Sequence, residues 1–181
     1  MEAVAELLDF YRNVLTTRPE ALFWFHGMMA SFLATTIGWI AYKELSEGTA
    51  SDNGIHLLMI VGLLVPSLTP LGWPPLDDAL LGMGVMGLMF LWVRLGMVYF
   101  KGASSLGFSE VRFAAAAGLW CGFEGTPLFM IAAMAFGVAA FWTARFLRRL
   151  RGLPASAFFP FSPALGAGLF SAICLRMYLG L

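Results

Sequence analysis

Long apolar stretches separated by short polar turns run through almost the entire chain, and this pattern constrains the fold more than any other feature. The clearest example is residues 79–100, ALLGMGVMGLMFLWVRLGMVYF, in which one arginine interrupts apolar and glycine residues. The hydrocarbon core of a bilayer is crossed by roughly 20 apolar residues in a helix. The sequence therefore predicts helices that cross a membrane.

The turns divide the chain into about six such stretches. They are residues 21–42, 55–73, 79–100, 111–123, 128–146 and 164–181. The fourth stretch is too short to span a bilayer alone unless it extends into the preceding loop. We expect an all-α fold, a polytopic bundle of about six transmembrane helices that occupies residues 21–181.

Composition supports a lipid environment and argues against several classes of function. Of the 181 residues, 60% are hydrophobic and only 12% are charged, against about 25% charged residues in soluble domains. Lys plus Arg and Asp plus Glu balance at 11 each, so no overall charge favours nucleic acid. Cys121 and Cys174 lie in apolar runs without a CxxC or Cys/His pairing. We therefore expect two buried, inert thiols, no metal site and no cofactor.

The first 20 residues form a different kind of segment. In EAVAELLDFYRNVL, apolar residues recur at helical spacing, and the opposite face carries acids and an arginine. A secretory signal would instead begin with basic residues and continue into an unbroken apolar core. We predict an amphipathic helix over residues 1–20, which either lies in the membrane interface or simply caps the bundle.

The basic residues predict the orientation in the membrane. Lysines and arginines in short loops favour the cytoplasmic side. The first, third and fifth loops carry Lys43, Lys101, Arg112, Arg145, Arg148, Arg149 and Arg151, whereas the second and fourth carry Asp77, Asp78 and Glu124. The odd loops are therefore expected in the cytoplasm and the N-terminus outside, although Arg18 beside the first span opposes this orientation.

Two acids are the candidates for chemistry, because ionisable groups at membrane depth are costly. Arg94 and Arg176 lie near helix ends, and we expect both to extend toward the interface. Glu44 ends the first helix and Glu110 begins the fourth, so the predicted topology brings both to the cytoplasmic face. Two neighbouring carboxylates supply a general base and a general acid. Alternatively, they are unrelated boundary acids, with Glu110 stabilised by a helix N-terminus.

The segment around Glu110 resembles a known family. FSEVRFAAAAGLWCG is similar to the GYGDxKLLAALGAWLG block of the type IV prepilin peptidases, which are GxGD aspartic membrane peptidases. Gly107 and Phe108 match the first glycine and the aromatic residue of that block. Glu110 falls at the catalytic aspartate and Arg112 at the lysine, and the second glycine is replaced by Ser109.

Two further segments resemble the same family in the same order. IAYKELSEGTASDNGIHLL is similar to its AxxDLxxxxIPNxLT segment, which places Glu44 at the first catalytic aspartate and Asp52 or Asn53 at the polar end of the motif. The family proline is missing, with Ser51 near its place. FPFSPALGAG resembles PFGPxLALGA and retains Pro160, Phe161, Pro163, Leu165 and Gly166. Together the three segments extend the resemblance from about residue 21 onward.

The resemblance implies an aspartic-type endopeptidase of the bacterial inner membrane, of the short, peptidase-only form that serves type IV pili and protein secretion. It implies catalytic roles for Glu44 and Glu110, and substrate contacts from Asp52, Gly107, Phe108, Ser109 and Arg112. The partner would be a pilin-like precursor, whose basic leader is removed at the cytoplasmic face, and no nucleic acid is expected.

Replacement of both family aspartates by glutamate leaves a second hypothesis open. An additional methylene moves a carboxylate by roughly 1 Å, and a misplacement of that size can cost about 100-fold in rate. The chain could therefore be an inactive paralogue, which binds a pilin-like helix or an assembly partner without cleaving it. A small transporter or channel subunit is a third interpretation, although charged groups near the middle of the bilayer are scarce.

Overall fold

Five helices account for most of the residues that the structure, a computed structural model, describes. The described residues are 6, 10, 13, 19–47, 51–68, 73–101, 106–150 and 161–179. The helices are α1 (Pro19–Glu47), α2 (Asp52–Leu68), α3 (Leu76–Lys101), α4 (Phe108–Leu150) and α5 (Ser162–Leu179). The all-α expectation is confirmed over these residues, but the fourth and fifth predicted stretches belong to one helix with an internal break.

The break in α4 lies at Gly122, whose φ of 68° and ψ of 174° are not helical. Backbone of this kind is accessible almost only to glycine. The turn predicted at residues 124–127 therefore begins earlier in the sequence, and Pro127 lies within the helix that follows. The Thr126 hydroxyl donates to the Gly122 carbonyl at 2.9 Å, within the first turn after the break.

The packing partners show that the chain reverses direction at Gly122. Before the break, α4 runs antiparallel to α3: a Cβ at Gly87 would lie 3.2 Å from Ala115, and one at Gly82 would meet the Gly118 carbonyl. After the break, α4 runs antiparallel to α5. A Cβ at Gly168 would lie 2.7 Å from Ala133, and Gly137 faces Ala164 and Phe161. Near the end of α5, Arg176 bonds to the Cys121 carbonyl at the end of the first part of α4, so α5 and that first part run in the same direction. The two parts of α4 are therefore antiparallel to each other.

Successive helices therefore place their termini alternately at two ends of the bundle. We call one the carboxylate end, which contains Glu44, Asp52, Glu110 and Ser162. We call the other the Gly122 end, which contains Trp73, Asp78, Gly122 and Arg176. Hydrogen bonds and an ion pair connect the helices at the first end, and a separate set connects them at the second.

The interior is apolar, and so is most of the outside. The largest fully buried side chains include Phe113, Trp120 and Phe129, and the Trp120 indole N–H donates to the Leu58 carbonyl at 2.8 Å. On the outside, Trp92 is 74% exposed and Tyr99 is 84% exposed. An apolar surface of this extent is unusual for a soluble monomer and suits contact with lipid.

By length and composition, two stretches of the described chain are suited to crossing a membrane, Leu76–Phe100 and Phe108–Thr143. The second contains the reversal at Gly122, so it consists of two antiparallel segments rather than one continuous span. These stretches support association with a membrane.

Two further predictions concern smaller features. The predicted amphipathic helix over residues 1–20 lies largely outside the described residues, among which Glu6, Phe10 and Asn13 are helical and exposed. The expectation of two buried thiols is right for Cys121 and wrong for Cys174, which is exposed on the outside of α5. An apolar run does not distinguish a side chain in the core from one that faces lipid.

Candidate functional site

Glu44 lies in the last turns of α1 and is only 2% exposed. Its two carboxylate oxygens accept hydrogen bonds at the start of α5: from the N–H of Phe161, which precedes the helix, to Oε1 at 3.1 Å, and from the N–H of Ser162, its first residue, to Oε2 at 2.8 Å. The first N–H groups of a helix have no partner within the helix and attract negative charge. Glu44 therefore caps α5 and joins segments separated by more than a hundred residues of sequence.

Glu110 lies in the first turn of α4 and is 9% exposed. Its Oε2 accepts a hydrogen bond from the Ser109 hydroxyl at 3.0 Å. The same oxygen occupies the space that a Cβ at Gly107 would fill. An acidic residue at the N3 position of a helix often folds back over the N-cap residue in this way. These contacts of Glu110 are local to the start of α4, whereas those of Glu44 join two distant helices.

Arg112 connects the start of α4 to the start of α2. Its Nη2 lies 2.8 Å from Asp52 Oδ1, in a pair whose side chains are 31% and 55% exposed respectively. The Arg112 guanidinium also lies over the Phe108 ring, 5.5 Å from its centroid, and Nε of Arg112 is buried without a hydrogen-bond partner. Phe108 itself is 54% exposed. Asp52, Phe108 and Arg112 thus form a partly exposed polar and aromatic surface beside Glu110.

These contacts bring the three family-like segments to the same end of the bundle. Glu44 of the first segment bonds to Phe161 and Ser162 of the third, and Asp52 of the first pairs with Arg112 of the second. The predicted substrate-contact residues Gly107, Phe108 and Ser109 belong to the same turn of chain as Glu110. Each carboxylate has separate hydrogen-bonding partners.

Two residues important at this end were missed by the sequence interpretation. Ser162 is 1% exposed, and its hydroxyl is buried without a hydrogen-bond partner. Arg94 was expected to extend toward the interface, but its guanidinium instead donates to the Leu106 carbonyl and lies 5.9 Å from the Phe108 ring centroid. The sequence could have indicated this, because Arg94 lies well before the end of the third apolar stretch and therefore far from the interface. Arg176 likewise bonds to the Cys121 carbonyl.

A shallow apolar groove begins next to Glu44 and runs along α1 and α5. Its volume is about 310 Å³, and its lining consists mostly of small residues: Ala34, Ile37, Gly38, Ala41, Pro163, Gly166, Ala167 and Phe170. A Cβ added at Gly38 would meet no atom within 4 Å. Small residues at this spacing allow the backbone of another helix to approach closely in lipid.

Glu44 and Glu110 are two largely buried carboxylates at one end of the bundle. The hydrogen bonds described for them go to different partners. Glu44 also has a structural role, because both of its oxygens hold the first turn of α5. Comparisons with protein-family models, with curated proteins and with solved structures find no match to this chain.

Proposed function

We propose that the protein is a membrane-embedded aspartic-type endopeptidase, similar to prepilin peptidases, that removes the leader of a pilin-like precursor. The observation that carries the proposal is the meeting of the three family-like segments at the carboxylate end. That meeting rests on the bonds from Phe161 and Ser162 to Glu44 and on the Asp52–Arg112 pair. The resemblance concerns the sequence alone, so the proximity of the three segments supports the proposal independently.

In the proposed arrangement the bundle lies in a bacterial inner membrane, and the two parts of α4 cross it separately. This gives six crossings, with the carboxylate end at the cytoplasmic face and the Gly122 end outside. The basic residues support this orientation, because Arg145 and Arg149 follow the crossing that returns to the carboxylate end. Asp77 and Asp78 lie at the opposite end.

The proposed reaction uses the two glutamates with opposite protonation states. One carboxylate takes a proton from water while the water oxygen attacks the scissile carbonyl carbon. The other, initially protonated, gives its proton to the leaving amine as the C–N bond breaks. Two carboxyl groups that share one proton can supply both functions, and the roles of Glu44 and Glu110 within the pair are left open.

The groove along α1 and α5 is the proposed seat of the precursor's apolar helix. Ala41 lies one turn before Glu44, and Pro163 directly follows the helix start that Glu44 caps. A helix lying in the groove would therefore bring the polypeptide that precedes it to the carboxylate end. The leader and the scissile bond would then lie near Glu44 and Glu110.

Leader removal in cells tests the enzyme proposal. A tagged precursor with a basic leader followed by an apolar helix of about 20 residues is co-expressed with the wild type or with Glu110→Gln, Glu44→Gln or Asp78→Asn. We expect cleavage by the wild type and by Asp78→Asn, and none by either glutamine variant. Asp78→Asn is the matched control, because Asp78 also caps a helix, at the other end. Equal processing by all four proteins would contradict the proposal.

A second function, helix binding without cleavage, is favoured by the hydrogen bonds of Glu44. Both oxygens already accept backbone N–H groups, and the side chain is 2% exposed. In this case the precursor would cross-link to the groove in the wild type and in both glutamine variants, and it would stay uncleaved. Gly38→Leu would abolish the cross-link under either function. Gly84→Leu is its control, because a Cβ at Gly84 also meets no atom within 4 Å.

A further inference from the structure

We propose that Arg94 of α3 is a positioning residue for Glu110, and this inference rests on the proposed function of the carboxylate end. Arg94 lies on a different helix from Glu110, and no segment of the family resemblance includes it. Its guanidinium reaches the chain just before α4 and the first residue of α4. The role assigned to it is to fix the backbone turn from which Glu110 projects.

The first contact of Arg94 is with the chain that enters α4. Nη1 donates to the carbonyl oxygen of Leu106, and Leu106 is 9% exposed. Leu106 and Gly107 immediately precede the helix, and the Glu110 carboxylate is folded over Gly107. A shift of Leu106 would therefore displace the residue against which Glu110 rests.

The second contact of Arg94 is with Phe108, whose ring lies close to two guanidinium groups. Arg94 lies 5.9 Å from the ring centroid and Arg112 lies 5.5 Å from it. Cations near an aromatic ring are attracted by its quadrupole. Arg112 in turn pairs with Asp52 on α2. The first turn of α4 thus contacts two neighbouring helices, α3 through Arg94 and α2 through the Arg112–Asp52 pair.

The charge of these residues is unusual for their location. Cations near the N-terminus of a helix are unfavourable by a few tenths of a kcal/mol to about 1 kcal/mol. Here two arginines approach the same helix start, where Glu110 and Asp52 supply negative charge. Arg94 lies well before the end of α3 and directs its guanidinium to the Leu106 carbonyl and the Phe108 ring.

Arg176 provides a matched comparison within the chain. It also donates from Nη1 to a backbone carbonyl, that of Cys121, but at the Gly122 end. Replacing either arginine by methionine removes the charge and the hydrogen bond while retaining an unbranched side chain. Both changes are expected to lower the melting temperature, so stability alone does not separate the two residues.

Hydrogen exchange of the amides in residues 106–113 tests the positioning role without requiring cleavage. In purified protein, Arg94→Met should accelerate exchange in this segment several-fold, and Arg94→Lys, which keeps a cation near Phe108, should do so less. Arg176→Met should leave the segment unchanged and affect residues near Gly122 instead. Identical exchange of residues 106–113 in Arg94→Met and Arg176→Met would overturn the proposal.

Cleavage kinetics then test whether the positioning matters for the reaction. Arg94→Met should lower kcat about 10-fold or more with KM within about threefold, because a small displacement of a catalytic group is costly. Arg94→Lys should restore part of the loss, and Arg176→Met should keep kcat within about twofold when compared at equal amounts of folded protein. If the wild type does not cleave the precursor, the proposed function is wrong. The hydrogen-exchange experiment then tests the structural role of Arg94 by itself. Equal kcat values for the two methionine variants would overturn a role in the reaction.

Discussion

Both ends of the bundle use a carboxylate from one helix to hold the start of another, but among the described residues an additional buried acid, Glu110, lies at the carboxylate end. At the Gly122 end, Asp78 Oδ1 accepts the Phe123 N–H at 3.2 Å, just after the break in α4. At the carboxylate end, Glu44 accepts two N–H groups from α5. Capping accounts for the contacts that Asp78 and Glu44 make with other helices. Glu110 instead folds back over the start of its own helix, and it has a partly exposed polar surface beside it.

The two ends also differ in how closely the backbones approach. At Gly82 and Gly118, near the Gly122 end, α3 and α4 are so close that a Cβ on either residue would meet the backbone of the other. The groove beside Glu44 is open instead, with free space around Gly38. The α3 and α4 backbones are thus closely packed near the Gly122 end, whereas α1 and α5 leave an open groove beside Glu44.

The largest expected effect comes from filling the close approach of α3 and α4. Gly118→Leu should prevent accumulation of folded protein, because backbone atoms cannot yield as flexible side chains do and overpacking alone costs about 1–3 kcal/mol or more. Gly38→Leu should fold normally. Monodispersity in detergent by size-exclusion chromatography measures both. Normal folding of Gly118→Leu would show that the close approach is not required.

The next effect concerns the reversal itself. Gly122→Ala should lower the free energy of unfolding by about 2–3 kcal/mol, since its backbone conformation is strained for any residue with a side chain. The added Cβ would also lie 2.6 Å from Pro74 Cβ and would contact Asp78. Thermal unfolding in detergent measures the loss, with Gly84→Ala as the control. A change no larger than that of the control would contradict a tight turn at Gly122.

A smaller effect compares the two capping carboxylates directly. Glu44→Gln should cost about 1–2 kcal/mol and Asp78→Asn about 0.5–1 kcal/mol. A glutamine amide offers only one acceptor atom to the two N–H donors that face Glu44, whereas asparagine keeps an acceptor for Phe123. The same unfolding measurement on both variants gives the order. A greater loss of unfolding free energy in Asp78→Asn than in Glu44→Gln would contradict this order.

The smallest effect is expected at the exposed ion pair. Asp52→Asn should change the free energy of unfolding by at most about 1 kcal/mol, because exposed pairs contribute little and are screened by salt. The effect should shrink further as the salt concentration is raised. Thermal unfolding at low and high salt measures it, with Glu47→Gln at another exposed pair as the control. A loss that is large or insensitive to salt would show that Asp52 is more constrained than its exposure indicates.

Much of the architecture follows from the sequence pattern, because apolar runs and polar turns define the helices. An alternating path then puts the end of α1 and the start of α4 at one end, which is why Glu44 and Glu110 could be grouped. The third family-like segment was recognised in the sequence, but its contact with Glu44 was not predicted. These inferences depend on the lengths of the helices and on the alternating direction of the chain, and both follow from the pattern of apolar runs and polar turns.

Other features depend on three-dimensional contacts that no local pattern contains. The partners of Glu44 are 117 and 118 residues away in sequence, and the carbonyl bound by Arg94 is 12 residues away. The break lies at Gly122 rather than at residues 124–127, and because that range contains Gly125, the need for a glycine does not by itself distinguish the two positions. The exposure of Cys174 was missed because lipid-facing and buried positions are equally apolar.

The most direct test of the central claim is a double-mutant cycle on cleavage of the tagged precursor. Rates are measured for the wild type, Glu44→Gln, Glu110→Gln and the double variant, each corrected for the amount of folded protein. Catalytic groups that act as a unit are non-additive. We expect each single variant to lose about 100-fold or more, and the double variant to lose little beyond that. Losses that multiply, or a wild type no faster than the double variant, would contradict a catalytic pair at the carboxylate end.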